Sequence, residues 1–317
     1  MNLLMGSTWS DNRRRQRLYA GDVFVFTPAV AAMALVNRAR ELLESAFAPH
    51  HPTVAQYHMS VEEYAAVLAR VKPAFIHDPL CKRLIPKLVE EVGGDISQTY
   101  FDVPRMRSAT AHDYLTTGIA YAFHPHRDTW YSAAQAQINW WFPIYEIEPD
   151  NGMVFYPHWF GNALENSSHT YNYYRWNRDS RAAAAKQIGS DTRVQPRLTC
   201  DVNLEPGMRA VPPVGGVMMF SAQHLHGTVP NTTEVTRFSI DFRTVHRGDL
   251  EQRRGAPNVD SRCTGTVLRD FLSCVDLSRL PADVIAMYDD ESALEYAQTL
   301  IYGAAERDTK GNNIPMA

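Results

Sequence analysis

Two stretches of the chain gather residue types that bind metals. The first reads Tyr121-Ala-Phe-His124-Pro-His126-Arg-Asp128-Thr-Trp130 and sets an imidazole and a carboxylate two positions apart. On extended backbone, side chains at i and i+2 project to the same side, so His126 and Asp128 can share one ion. The second reads Gly215-Gly216-Val-Met-Met-Phe220-Ser-Ala-Gln-His224-Leu-His226-Gly-Thr228 and continues to Arg237-Phe-Ser239-Ile-Asp241-Phe-Arg243. A buried-looking strand there delivers His226, and a further strand carries Arg237 eleven residues later. Two imidazoles and one carboxylate on one face of an octahedral ion leave its other positions open. That arrangement suits iron(II) that must take an oxidant and dioxygen together. The guanidinium of Arg237 is a planar, permanently charged fork for a carboxylate. It matches the far end of a dicarboxylate such as 2-oxoglutarate whose near end chelates the metal.

These residues need a scaffold that brings distant segments together. The first 20 residues read as a mobile polar arm, with Arg13, Arg14 and Arg15 in a solvated turn. Asp22–Phe26 reads as a strand. From Pro28 the apolar positions Val36, Ala39, Leu42, Leu43 and Phe47 recur at helical spacing and predict a helix to about Phe47, ended by Pro49 and Pro52. Ser60-Val61-Glu62-Glu63 is a capping box opening a helix to about Val71. Asp78-Pro79 opens another, kinked at Pro86 and stopping at Gly93-Gly94. From about Gln98 the chain turns to short runs rich in Thr, Tyr, Phe, Val and Trp. Thr99–Val103, Gly118–Phe123, Gln137–Ile144, Met153–Tyr156, Arg209–Val211, Gly216–Phe220 and Arg237–Val245 read as strands at sandwich or barrel spacing. A polar, aromatic stretch of about 160–195 interrupts them as an insertion over the barrel mouth, with a short helix near Arg181–Gln187. The tail is weakly helical around Val267–Cys274 and Ala282–Ala304. The expected architecture is mainly β with flanking helices: one domain, a double-stranded β-helix (a cupin-like jelly roll). Residues 1–97 supply a strand and helices, 98–247 the core, and 248–317 a helical tail.

The HxD…H…R order resembles the phytanoyl-CoA dioxygenase-like branch of iron(II)/2-oxoglutarate oxygenases, over roughly residues 99–245. Asn151-Gly152-Met-Val-Phe155-Tyr-Pro157 resembles the NGxxxxxP segment of that branch, with the proline one residue early. The resemblance implies a jelly roll with iron(II) on His126, Asp128 and His226, and 2-oxoglutarate and dioxygen as co-substrates. It implies that Arg237 grips the distal carboxylate, that Thr228 assists it and that Trp130 lines the cofactor pocket. The expected reaction is hydroxylation or another oxidation of an unactivated C–H bond in a small molecule of secondary metabolism. In related halogenases Gly or Ala stands where this chain has Asp128, so halogenation is disfavoured. The family's P-G-S-H loop is Pro157-His158-Trp159-Phe160 here, which leaves the substrate unassigned.

Other readings stand beside these. His124 competes with His126, and His224 with His226. The HxD pattern favours His126, while the spacing to Arg237 and the following Gly227 favour His226. Gln137 and Asn139 are candidate substrate contacts, with an outward polar face as the alternative. His158 is a candidate substrate contact or a solvated residue. Arg243 is a candidate for a substrate anion, against a structural ion pair. Tyr171, Tyr173, Tyr174 and Trp176 read as a lid or as ordinary packing. Two rival functions are a cupin-like metal enzyme without 2-oxoglutarate and a non-catalytic jelly-roll binding module.

Composition narrows the field further. The 317 residues are 45% hydrophobic and 21% charged with a net charge of -4, an ordinary globular balance. No basic tract points to nucleic acid or an anionic membrane. Cys81, Cys200, Cys263 and Cys274 form neither a CxxC pair nor a regular framework, which fits reduced thiols. No segment reads as a signal peptide or membrane span, so a cytoplasmic location is expected. Oligomeric state is left open.

Overall fold

A computed structural model describes residues 1–6, 9–181 and 183–290. Its core is two sheets. The larger contains β1 (Leu3–Met5), β2 (Val23–Val25), β3 (Thr99–Phe101), β4 (Arg105–Ala109), β5 (Ile138–Pro143), β8 (Met218–Ser221), β10 (Arg237–His246) and β11 (Leu272–Ser273). The smaller contains β6 (Met153–Phe155), β7 (Met208–Ala210) and β9 (His226–Thr228). The order is β1-β2-β8-β5-β10-β3-β11, with β4 also on β10, facing β7-β6-β9. Apart from the parallel β1–β2 pair, the neighbours run antiparallel. Crossovers between non-consecutive strands make this a jelly-roll sandwich. Val23, Val25, Trp141, Met153, Phe155, Met218 and Phe220 fill the space between the sheets.

Helices α1 (Asp11–Tyr19), α2 (Val30–Phe47), α3 (Val61–His77) and α4 (Pro79–Glu91) share the main apolar cluster with larger-sheet residues such as Trp140, Phe142, Phe238 and Ile240. In α2 the buried positions Leu35, Val36, Ala39, Leu43 and Phe47 form one stripe at i, i+4 spacing. The Ser60 capping box is formed, with Ser60 Oγ accepting from Glu63 N and Glu63 returning to Ser60 N. Asp78 caps α4, whose first residue is Pro79. None of the described helices is long and apolar enough to cross a membrane.

Several expectations change. The N-terminal segment is not an arm: Ser10 caps α1, and Arg14 and Arg15 are buried. Arg14 donates to the Val92 carbonyl, and Arg15 and Tyr19 converge on Asp249 at 2.7 and 2.9 Å. Helix α3 runs through Pro73 to His77 rather than stopping near Val71. Gly118–Phe123 is no strand. Gly118 has φ +57, and the chain makes a single 3-10 turn over Gly118–Ala120. The insertion's helix lies earlier than expected, at α5 (Tyr173–Asp179), with only a 3-10 turn at Ala184–Lys186. In the tail, Val267–Asp270 is a 3-10 turn leading into β11. Two short helices, α6 (Arg247–Glu251) and α7 (Ala282–Ala286), flank it. The helix expected to Ala304 ends at Ala286, with residues 287–290 in turn and coil, and the remainder of that stretch lies outside the described residues.

Candidate metal centre

The ligand candidates meet through the main chain. His126 and His226 form an antiparallel bridge, and β9 pairs in turn with β6, so His226 lies opposite Phe155. Asp128 does not continue an extended run. It opens a 3-10 turn, Asp128–Tyr131, behind Arg127 at φ -110, ψ 141. The turn swings the carboxylate toward His126, whose Nε2 lies 3.3 Å from Asp128 Oδ1. Donor atoms of His126, Asp128 and His226 all lie within 4.8 Å of one another, and all three residues are buried.

Both imidazoles are oriented in the same way. Nδ1 of His126 is 2.8 Å from the His124 carbonyl, and Nδ1 of His226 is 2.9 Å from the His224 carbonyl. A carbonyl only accepts, so each Nδ1 carries the proton and each Nε2 keeps a lone pair for a metal. Burial and then the neighbouring His126 push His226 down to about 4, so it is neutral at physiological pH. Burial opposes the Asp128 carboxylate, but Arg243, the His126 contact and His226 outweigh it and hold it well below the usual carboxylate range. His124 contributes its carbonyl and leaves its ring exposed. His224 is fully buried among Phe155, Phe160 and Phe220, outside the donor cluster.

A cavity of about 360 Å³ reaches this cluster. Thr228, Arg237, Gln137, Asn139 and Arg243 line it. Arg237 is buried, lies over Trp141 and leaves Nε and Nη1 without hydrogen-bond partners. Burial lowers it to about 10, still charged at neutral pH. Gln137 Nε2 lies 3.0 Å from Asn139 Oδ1 and 3.5 Å from Asp128 Oδ2, so the pair faces inward. Arg243 is an ion-pair residue: Asp102 receives its backbone N–H and Nη1, and its Nε lies 3.7 Å from Asp128 Oδ2.

Two expected contacts are not there. Trp130 is fully buried away from the cavity because it packs in a separate apolar cluster with Val154, Leu164, Leu225 and Val229, its Nε1 donating to Asp260 at 2.7 Å. His158 is exposed on the 3-10 turn Pro157–Trp159, edge-on to Trp159, and does not line the cavity. Sequence reasoning missed Tyr131 and Lys72, which do line it. Tyr131 stacks edge-on to His126 at 5.4 Å, and its place one turn past Asp128 was the available signal. Lys72 had none, because helix α3 was expected to end before it.

The chain matches no protein-family model and no curated protein. Among solved structures it is similar to EvdO2 from Micromonospora carbonacea var. aurantiaca complexed with 2-oxoglutarate, at 13% identity and TM-score 0.42, covering 75% of this chain and 91% of that one. It is similar to the non-heme alpha ketoglutarate dependent epimerase SnoN from nogalamycin biosynthesis, at 14% identity and TM-score 0.36, covering 74% and 84%. A third is AviO1 from Streptomyces viridochromogenes Tue57, at 13% identity and TM-score 0.39, covering 80% and 99%.

Proposed function

We propose that the chain is an iron(II)- and 2-oxoglutarate-dependent oxygenase that oxidises a C–H bond of a small organic molecule. One observation carries the reading. A buried His126–Asp128–His226 donor cluster shares its cavity with Arg237, a buried cation that has no carboxylate partner among the described residues. The donor set fits iron(II): two neutral imidazoles and one carboxylate, with the rest of the coordination sphere open to the cavity. His126 and His226 would bind through Nε2 and Asp128 through a carboxylate oxygen. Arg237 would receive the distal carboxylate of 2-oxoglutarate, with the Thr228 hydroxyl beside it. When bound, the group would couple reduction of dioxygen to conversion of 2-oxoglutarate into succinate and carbon dioxide, and so supply the oxidising power.

The protein's share is orientation and dryness. The His124 and His224 carbonyls fix the imidazoles, and Arg243 and Gln137 steady Asp128. Tyr121, Tyr131 and Tyr171 line the cavity and give it an aromatic wall. Hydroxylation as the outcome, and the phytanoyl-CoA dioxygenase-like branch as the lineage, rest on the sequence resemblance.

Anaerobic addition of iron(II) and 2-oxoglutarate tests the reading. A weak visible charge-transfer band is expected, absent in His226→Ala and displaced to much higher 2-oxoglutarate concentrations in Arg237→Ala. A wild-type protein that binds iron and gives no band would instead be a metal enzyme without 2-oxoglutarate. One that binds no iron would be a binding module.

A further inference from the structure

The cavity holds more positive charge than iron and 2-oxoglutarate account for. Among the described residues, seven lysine and arginine side chains line it against three aspartates. Most are matched. Arg105 pairs with Asp102 and Arg107 with Asp241, both at 2.7 Å; Arg243 pairs with Asp102 and Arg193 with Asp191. Arg237 is assigned above. Lys72 and Arg181 remain. Lys72 Nζ meets only neutral oxygens, Ser108 Oγ at 3.1 Å and the Ile119 carbonyl. Arg181 Nη1 meets Asn177 Oδ1 at 3.2 Å.

A surrounded ammonium without a counter-ion is costly, and an apolar side chain would pack there at less cost. Lys72 pays that cost in a specific place. The insertion closes over it: Thr117 Oγ1 donates to the Gln187 carbonyl at 2.7 Å, and Gly118 N donates to Asp191 at 3.1 Å. A Cβ on Gly118 would lie 2.3 Å from the Ala184 carbonyl oxygen, so this closure needs glycine. The same cavity carries an aromatic wall of Tyr121, Tyr171, Tyr173 and Trp176.

We propose that Lys72 on α3 and Arg181 on the insertion form an anion subsite in this cavity, and that the substrate is a small molecule with a flat, ring-bearing body and one anionic group. The aromatic wall takes the ring and the two cations take the anion. That this ligand is the molecule oxidised rests on the oxygenase reading; that it binds does not.

A pair of fluorescent probes separates charge from ring. The metal-free protein is titrated with 1-anilinonaphthalene-8-sulfonate and with N-phenyl-1-naphthylamine, the same ring system without the sulfonate. Wild type should bind the sulfonate more tightly. Lys72→Met should weaken it about tenfold and leave the neutral probe unchanged. Lys72→Arg should retain most of the affinity, and Arg181→Gln, which alters a loop position, should weaken it several-fold. Equal loss for both probes, no loss in Lys72→Met and Arg181→Gln, or loss confined to Arg237→Met would overturn the subsite. The iron and 2-oxoglutarate band, measured on the same proteins, reports separately. A missing band with intact probe selectivity faults the oxygenase reading alone, and the converse faults the subsite alone.

Discussion

His126 and His226 are cross-strand partners: each backbone N–H donates to the other's carbonyl, at 2.9 and 3.0 Å, and their ring centroids lie 4.5 Å apart. Two candidate ligands about 100 positions apart in the chain are thus held by main-chain hydrogen bonds, which do not depend on either ring. Removing a ring should therefore cost metal binding without dissolving the fold.

That separation can be read by melting. Binding to the folded state alone stabilises it by mass action, about 2.7 kcal/mol at a hundredfold excess over the dissociation constant. Anaerobic iron(II), or manganese(II) as a stand-in, should raise the melting temperature of wild type. The rise should vanish in His126→Ala, Asp128→Ala and His226→Ala. It should persist in His124→Ala, because that residue contributes its carbonyl. Loss in His124→Ala with retention in His126→Ala would reverse the ligand assignment.

Arg237 predicts opposite effects on stability and binding. Its Nε and Nη1 are buried without partners, a desolvation cost that Arg237→Met removes. The metal-free variant should be more stable than wild type by about 1 kcal/mol and melt correspondingly higher. Metal binding should remain, while added 2-oxoglutarate should no longer raise the melting temperature further. A variant that is clearly less stable and still responds to 2-oxoglutarate would mean that Arg237 is structural.

Most of the candidate site was legible because the residues that come together in it fall on segments whose chemistry shows locally: an HxD, a strand-borne histidine, a later arginine. The way His126 and Asp128 converge was not. The i, i+2 rule places both on one side of a strand, yet Asp128 sits in a 3-10 turn and only the bridge to His226 positions the pair. Helix limits were readable at Ser60 and Asp78, where caps are local. They failed at the far end of α3, expected near Val71, because packing carries the helix on through Pro73 to His77. The arginine run at the N-terminus looked solvent-facing because, apart from the local Asp11, the groups that take it inward, the Val92 carbonyl and Asp249, lie 78 and 234 residues away. Trp130 misled for the same reason: its partner Asp260 lies 130 residues on.

Lys72 gives a pH signature with a definite sign. Burial, and then Arg107, lower it from 10.5 to about 7 in the folded state. Across that window the unfolded chain holds a proton that the folded chain has shed. Stability should therefore rise with pH from about 7 toward 10 as the folded penalty disappears. Lys72→Met should flatten this slope and melt higher than wild type at neutral pH. A gain in stability joined to a loss of sulfonate binding would mark Lys72 as retained for a ligand. A plain loss of stability would mark it as part of the packing.

Arg127 lies between the candidate ligands His126 and Asp128 in the chain, and its buried guanidinium braces the loop that carries them. It donates to Asp260 at 3.1 Å and to the carbonyls of Gln223, Trp159 and Asn162 at 2.7, 2.6 and 2.8 Å. Asp260 also accepts Trp130 Nε1 on the far side of Asp128. Asp260→Ala would leave a buried arginine unpaired and should cost about 3 to 5 kcal/mol. Because the brace spans the ligand loop, metal affinity should also fall, by about 10- to 100-fold, with all three ligands intact. Calorimetric titration with manganese(II) below the variant's melting temperature separates the two effects. Wild-type metal affinity in a destabilised Asp260→Ala protein would show that the bridge pair His126–His226 positions the ligands without help from this loop.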